Sequence, residues 1–229
     1  MRCNRLQLNA DKTEVVWYRD LGIYLDSDLS MRTDVSRTVS ACFASLRQIR
    51  SIRRSVTRPV LQSLVAALTL TRLDYGCTTL AGLPVRQLNR LQSVLNAAAR
   101  LVYSARRNEH VSPLLRDLHW LRVPQRIEFR LAVLSYRCLN GTAPRYLADE
   151  LQLVADIASR GRLRSASTTR LHVPRMAHKT IGDRAFPVAA ARVWNSLSTS
   201  TTSQSSLLSF RRALKTELFG RSYGGASNH

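Results

Sequence analysis

Residues 88–101 read LNRLQSVLNAAARL, and their apolar side chains follow the spacing of one face of an α-helix. The apolar positions, three or four residues apart, are Leu88, Leu91, Leu95, Ala98 and Leu101. The consecutive alanines at 97–99 predict close packing against a neighbouring helix. Because such an amphipathic helix buries its apolar face, this stretch predicts a bundle of helices.

Outward from this stretch, the same period recurs along most of the chain. Proline opens two periodic stretches at Pro59 and Pro124, and glycine closes them at Gly76 and Gly141. The other stretches predicted to be helical are residues 34–49, 57–75, 124–139, 144–153, 187–197 and 207–219, with a short helix after Ser112-Pro113. The sequence therefore predicts a mainly α fold.

The N-terminal residues follow a different pattern. Residues 13–18 and 21–25 are rich in strand-forming side chains, and they predict two short strands that can pair as a hairpin. Two strands are too few for a stable sheet alone. Asp26 and Asp28 follow them, and this spacing beside Ser30 favours a turn or the lead-in to a helix over a metal site.

These patterns divide the chain into four segments. Residues 1–30 predict the short β piece, 31–110 a helical bundle and 111–158 a further helical region. Residues 159–229 predict a basic loop, a flexible Ser/Thr linker at 198–206 and terminal helices.

The charge balance indicates a polyanionic partner. The chain has 35 Lys and Arg against 15 Asp and Glu, a formal net charge of +20. Since Lys12, Lys179 and Lys215 are the only lysines, 35 − 3 = 32 of these cations are arginines. Arginine donates two hydrogen bonds to a phosphate and stacks on bases, which favours nucleic acid. A GC-rich coding sequence would also enrich arginine.

The candidate nucleic-acid-binding residues are arginines near the ends of two predicted helices. Cations at a helix C-terminus also suit the helix dipole, so their position alone has a structural explanation as well. The candidates are Arg47, Arg50, Arg53, Arg54, Arg100, Arg106 and Arg107.

Motifs for other chemistry are missing from the sequence. Cysteine and histidine spacings fit no zinc site, and no metal site is predicted. The four cysteines predict reduced, intracellular thiols, with Cys42 and Cys138 in the core. The Asp74-Tyr75 pair reverses the order of a polymerase Tyr-x-Asp-Asp signature and predicts a structural aspartate at a helix end. No apolar run reaches the length of a membrane span, and the first ten residues lack the apolar core of a signal peptide.

Several short stretches, taken in order, resemble the reverse transcriptases of non-LTR, LINE-type retrotransposons of the jockey-like kind. Each stretch alone is weak, but their ordered run from residue 6 to residue 219 is specific. The stretches are residues 8–15 (LNADKTEV), 20–26 (DLGIYLD), 72–75 (RLDY), 81–84 (AGLP), 91–100 (LQSVLNAAAR), 118–124 (LHWLRVP), 139–144 (LNGTAP), 163–165 (LRS), 182–186 (GDRAF) and 193–197 (VWNSL).

The resemblance implies that residues 1–30 match the end of the polymerase palm with its primer-grip hairpin, and residues 31–110 match the thumb. It implies a template–primer duplex of RNA and DNA as a sequence-nonspecific partner. The family's catalytic aspartates precede the matched region, so we expect this chain alone to be inactive, and Mg²⁺ belongs only to the full-length polymerase. Lys12 matches a palm lysine and is expected to be idle. The resemblance also implies an intracellular location, in the cytoplasm or the nucleus.

One departure from the family stands near Trp17. The family has a longer segment between the strands that match residues 15–17 and 19–25, whereas here they nearly abut. This shortening indicates an internal deletion or an error in the gene model. The alternatives to a nucleic-acid-binding fragment are therefore a non-functional pseudogene product and a helical protein-interaction module.

Overall fold

The computed structural model of the chain describes residues 16–18, 22–26, 28, 30–156, 169–176 and 182–224. Helices dominate these residues, and two short strands stand at their N-terminal end. The predicted fold class, mainly α with a short N-terminal hairpin, is confirmed. No helix in the described ranges combines the length and the apolar character that crossing a membrane requires.

The elements follow one another with short connections. Strands β1 (Val16–Tyr18) and β2 (Ile23–Leu25) pair antiparallel, with Val16 opposite Leu25. The helices are α1 (Arg32–Ile52), α2 (Arg58–Val65), α3 (Thr71–Asp74), α4 (Val85–Tyr103), α5 (Ser112–Asp117), α6 (Val123–Leu139), α7 (Arg145–Ala148), α8 (Phe186–Ser196), α9 (Thr199–Thr202) and α10 (Leu207–Tyr223).

The lead-in to α1 is built from the acidic pair that follows the hairpin. The Asp26 carboxylate accepts hydrogen bonds from the backbone N–H groups of Arg32 (2.6 Å) and Thr33 (3.2 Å) and from the Ser30 hydroxyl. Asp28 accepts from the Ser30 N–H at 2.9 Å. These bonds satisfy donors that the first turn of a helix leaves unpaired, so the predicted helix lead-in is confirmed.

The first core lies between α1, α2 and α4. In α1, which covers the predicted helical stretch 34–49, the side chains of Val35, Cys42, Leu46 and Ile49 are buried along one face. It packs along α4, whose predicted face is buried at Leu91, Leu95, Ala98 and Leu101. The alanines at 97–99 leave little side-chain bulk between the helices, as the sequence predicts.

The second core lies between α6, α8 and α10. Aromatic rings pack within it: the rings of Tyr136 and Phe210 stack with centroids 4.4 Å apart, and the Trp194 ring also packs on Phe210, with centroids 5.8 Å apart. Helix α6 joins the two cores, because Ile127 contributes to the first and Ala132 to the second. The division of the chain into four segments stays a prediction.

Two predicted helices differ in their details. The helix predicted for residues 57–75 is divided by a π-helical segment, Ala66–Leu70, between α2 and α3. The wider π turn shifts the helix face. Along this divided helix, the apolar side chains of Val60 and Leu68 are 46% and 45% exposed. The helix predicted for 144–153 is also too long, since α7 ends at Ala148.

The Ser/Thr tract is structured, and the prediction of a flexible linker at 198–206 is wrong. Its hydroxyls hydrogen-bond locally to the backbone and form the short helix α9, in which Thr201 is buried. Ser206 then caps α10 in a reciprocal capping box with Ser209. Polar composition alone does not separate a solvated linker from a set of helix caps.

The basic loop predicted from Ser159 onward lies largely outside the described residues. Its described part, residues 169–176, is extended, and Leu171 forms a single antiparallel bridge with Leu153. The Asn195 side chain of α8 accepts from the N–H of Leu171 (2.9 Å) and donates to its carbonyl (2.8 Å).

Candidate nucleic-acid interface

The predicted arginines group at one end of the α1–α4 pair because the two helices run in the same direction. Near their first turns, Arg90 of α4 donates to the Ser36 hydroxyl of α1 at 3.0 Å. Just beyond the end of α1, Arg58 lies over the ring of Tyr103, the last residue of α4, 3.9 Å from its centroid. The C-terminal ends of both helices are therefore neighbours.

The α1 cluster presents its charge to solvent. Arg47 and Arg50 are exposed on the last turns of α1, and the helix continues into a 3-10 turn that carries a half-buried Arg53 and an exposed Arg54. Within the described part of the chain, none of these four forms an ion pair with a carboxylate. Their charge is free to meet an external anion.

The α4 cluster divides into two kinds of residue. Arg100 is half-buried and donates to the Glu109 carbonyl at 3.2 Å, so its guanidinium closes the loop after α4. The Glu109 carboxylate accepts from the backbone N–H of Arg106 at 2.6 Å, which further orders this loop. The side chains of Arg106 and Arg107 are exposed. Arg100 therefore positions the loop, and Arg106 and Arg107 face the solvent.

A second carboxylate, besides that of Glu109, lies within this basic end. Asp117 of α5 accepts from Arg58 at 3.2 Å and from the Tyr103 hydroxyl. Both Arg58 and Asp117 remain more than half exposed, so the pair is a surface ion pair. Neither residue is among the sequence candidates. Arg58 lies four residues after Arg54 along the chain, and this proximity to the Arg53-Arg54 cluster is the signal that could have found it.

Asp74 has the structural role that the sequence predicts. It lies at the end of α3, and both of its oxygens accept from Arg126 of α6, at 2.7 and 2.6 Å. Arg130 approaches the same carboxylate at 3.4 Å. The bidentate pair joins the α1–α4 bundle to α6, and its two side chains are less than a fifth exposed.

No cluster of metal-ligating side chains stands out among the described residues. They contain no group of three or more His, Cys, Asp or Glu side chains that could hold a metal ion. The Asp26 carboxylate is occupied with capping α1. Lys12, the match to the palm lysine, lies outside the described residues. No step of a metal-dependent reaction is assigned to the chain.

The described cysteines are core residues without reactive character. Cys42, Cys77 and Cys138 are free thiols and buried. Burial raises the pKa of Cys42 and of Cys77 to about 11 and also raises the pKa of Cys138. A buried thiol with a raised pKa is a poor nucleophile and a poor metal ligand, which agrees with the predicted core role of Cys42 and Cys138.

Comparisons of the chain with protein-family models, with curated proteins and with solved structures each found no match. The resemblance to reverse transcriptases stays a hypothesis that rests on the sequence stretches alone.

Proposed function

We propose that this chain is a sequence-nonspecific nucleic-acid-binding fragment of a non-LTR retrotransposon reverse transcriptase, which grips a template–primer duplex of RNA and DNA. The observation that supports the proposal is the parallel packing of α1 and α4. This packing gathers the exposed Arg50, Arg54, Arg106 and Arg107 at one end of the helix pair. We further propose that the protein acts in the cytoplasm or the nucleus, where such a duplex forms.

The gathered arginines suit the sugar–phosphate backbone of a duplex. Backbone phosphates are bound through charge and positioning, and such contacts carry no sequence information. Each contact releases counterions, so binding must weaken steeply with salt. The charges come from two helices held in a fixed relation by the first core, which keeps several of them ready for successive phosphates along one duplex.

The test is fluorescence anisotropy of the purified chain with a labelled RNA–DNA duplex across a salt series. We expect micromolar or tighter binding with a steep salt dependence. In the variant Arg50→Gln/Arg54→Gln, each lost phosphate contact makes the negative slope of log K against log salt less steep by about 0.9. The matched control is Arg32→Gln/Arg86→Gln, which removes the same charge from the first turns of α1 and α4.

Three results would reject the proposal. Binding that is indifferent to salt would favour a protein-interaction module, and aggregation would favour a non-functional product. Equal loss in both double variants would show that only net charge matters. A separate measurement, primer extension with Mg²⁺ or Mn²⁺, tests the expected inactivity. Extension by this chain alone would show an active polymerase.

A further inference from the structure

A second basic surface lies on the far side of Asp74, between α6 and α10. Two cavities, of about 320 Å³ and 520 Å³, open there. Both are lined by Phe129, Arg130 and Arg211, so the two cavities adjoin one another along these side chains, and we treat them together as one groove. We call it the α6–α10 groove. None of its residues is among the arginines at the ends of α1 and α4.

The groove carries a large excess of positive charge. Among the described residues that line it, Asp74 carries the only carboxylate, and both oxygens of Asp74 are engaged by Arg126. The cationic side chains that line the groove are Arg126, Arg130, Arg137, Arg211 and Lys215. Cations concentrated in a concave surface focus their field and attract an anion more strongly than cations on a flat one.

Stability of the fold does not account for two of these cations. Arg211 and Lys215 are exposed and stand four residues apart on α10, where like charges disfavour a helix. In the described residues neither forms an ion pair. Arg130 and Arg126, four residues apart on α6, line the same cavity. Two pairs of cations therefore line the groove, and of the described ion pairs only those of Arg126 and Arg130 reach the Asp74 carboxylate.

An aromatic ring lies among these cations. Phe129 is partly exposed and lines both cavities, although it also packs against the second core. A charged groove that follows the backbone, combined with an aromatic ring on which a base can stack, is the arrangement that binds single-stranded nucleic acid. A duplex keeps its bases stacked on one another and is too wide for cavities of this size.

We infer that the α6–α10 groove binds a single-stranded stretch of nucleic acid, with Arg130, Arg211 and Lys215 on its phosphates and Phe129 under one base. This inference rests on the proposed function, and it adds a site for an unpaired strand to the duplex site at the ends of α1 and α4. The chain then holds both the paired and the unpaired part of one nucleic acid.

The test compares two probes across three double variants of the full chain and one single variant, Phe129→Leu. The probes are a labelled RNA–DNA duplex and a labelled single-stranded RNA of mixed sequence. The double variants are Arg211→Gln/Lys215→Gln in the groove, Arg50→Gln/Arg54→Gln at the duplex site and Arg32→Gln/Arg86→Gln as the control. All three remove two positive charges from exposed positions.

We expect the groove variant to lose single-strand affinity more than duplex affinity, and its salt slope to fall by about 0.7 for each lost phosphate contact. The duplex-site variant should show the opposite preference. Phe129→Leu keeps an apolar side chain and should lower single-strand affinity about 5-fold or more by removing the stacking ring. Circular dichroism with a thermal melt shows whether each variant keeps its fold.

Equal single-strand affinity in the groove variant and the control variant would overturn the inference. If both of these variants still bind the duplex, the proposed function stands. If the unaltered chain shows no salt-dependent binding to either probe, the inference and the proposed function are both overturned. Polyglutamate at equal charge serves as a competitor. If it displaces the single strand from the unaltered chain and from Phe129→Leu equally well, the groove recognises charge alone, as an acidic peptide would supply, and the assignment to nucleic acid is wrong.

Discussion

The guanidinium of Arg58 lies over the ring of Tyr103, and the same arginine forms an ion pair with Asp117 at 3.2 Å. The Tyr103 hydroxyl donates to the same carboxylate. This three-residue contact ties the start of α2 and the end of α4 to α5. It also places one negative charge in the surface where the proposed duplex site gathers its arginines, and that charge opposes the binding of a phosphate backbone.

Removing this charge is expected to strengthen nucleic-acid binding. Asp117→Asn frees Arg58 from its ion pair and should raise affinity for an RNA–DNA duplex about 2- to 5-fold, since an exposed charge pair is worth up to about 1 kcal/mol. Anisotropy at low salt measures the effect. Asp149→Asn is the matched control, because Asp149 is exposed at the end of α7 and lies in a different part of the chain. An equal gain in both variants would show an effect of net charge alone.

The ion pair of Asp74 and Arg126 is expected to matter for stability. Asp74→Asn leaves a largely buried guanidinium without its bidentate partner, and we expect a loss of about 2 kcal/mol in the free energy of unfolding. The pair keeps some exposure, 17% for Arg126 and 18% for Asp74, so the cost falls below that of a fully buried pair.

Urea denaturation measures this difference. Asp183→Asn is the control, because it breaks the exposed ion pair of Asp183 with Arg192, whose side chains are 46% and 54% exposed. That variant should stay within about 1 kcal/mol of the unaltered chain. Should both variants lose the same amount, the contact between α3 and α6 does not depend on the Asp74 carboxylate.

The helices were predictable where one apolar face meets one neighbour. The faces of α1 and α4 could be predicted because each is periodic and buried by the other. The face of the divided 57–75 helix could not, because the π-helical segment Ala66–Leu70 changes the angle between residues that an α-helical period places together. The structure of the Ser/Thr tract could not be predicted either, because its hydroxyls bond to nearby backbone groups and composition does not reveal these bonds.

The candidate surface was predictable only in part. Clusters of arginines adjacent in sequence, such as Arg53 and Arg54, could be predicted because proximity along a helix end is visible in the sequence. The α6–α10 groove brings Arg130 and Arg211 together across 81 residues (211 − 130), and no local pattern records such a meeting. The Arg58–Asp117 pair is likewise a product of the packing of α2 and α5 against α4.

The cap formed by Asp26 is expected to make stability depend on pH. Burial acts to raise the pKa of Asp26, but hydrogen bonds from Thr33, Ser30 and Arg32 outweigh it and leave the pKa below its usual value. A carboxyl with a lowered pKa in the folded state contributes stability above its unfolded pKa and loses it as the pH falls through the folded pKa. The contribution of Asp26 is thus present above about pH 4 and declines in more acidic solution.

Two variants separate the charge of Asp26 from its capping role. Asp26→Ala should lose about 1 kcal/mol near neutral pH, as other lost helix caps do. Asp26→Asn keeps an acceptor and should lose less, and its difference from the unaltered chain should shrink as the pH falls through the lowered pKa of Asp26. Burial raises the pKa of Asp34, so Asp34 acts in the opposite sense, and only the difference between variant and unaltered chain isolates Asp26. A difference that persists unchanged at low pH would contradict the proposed role of the charge.

Asn195 is expected to hold the extended residues 169–176 against α8. Its amide makes both hydrogen bonds of a strand partner with the backbone of Leu171, whose side chain is almost fully buried. Asn195→Asp replaces the donor with an oxygen that faces the Leu171 carbonyl, and leaving that carbonyl unpaired should cost about 1–3 kcal/mol. Hydrogen exchange should show faster exchange of the Leu171 amide before the rest of the second core opens. Ser196→Ala, which removes an exposed hydroxyl one residue further on, should leave this exchange unchanged. If the Leu171 amide of Asn195→Asp exchanges as slowly as in the unaltered chain, then the Leu153 bridge and the buried leucine side chain hold the segment without the amide.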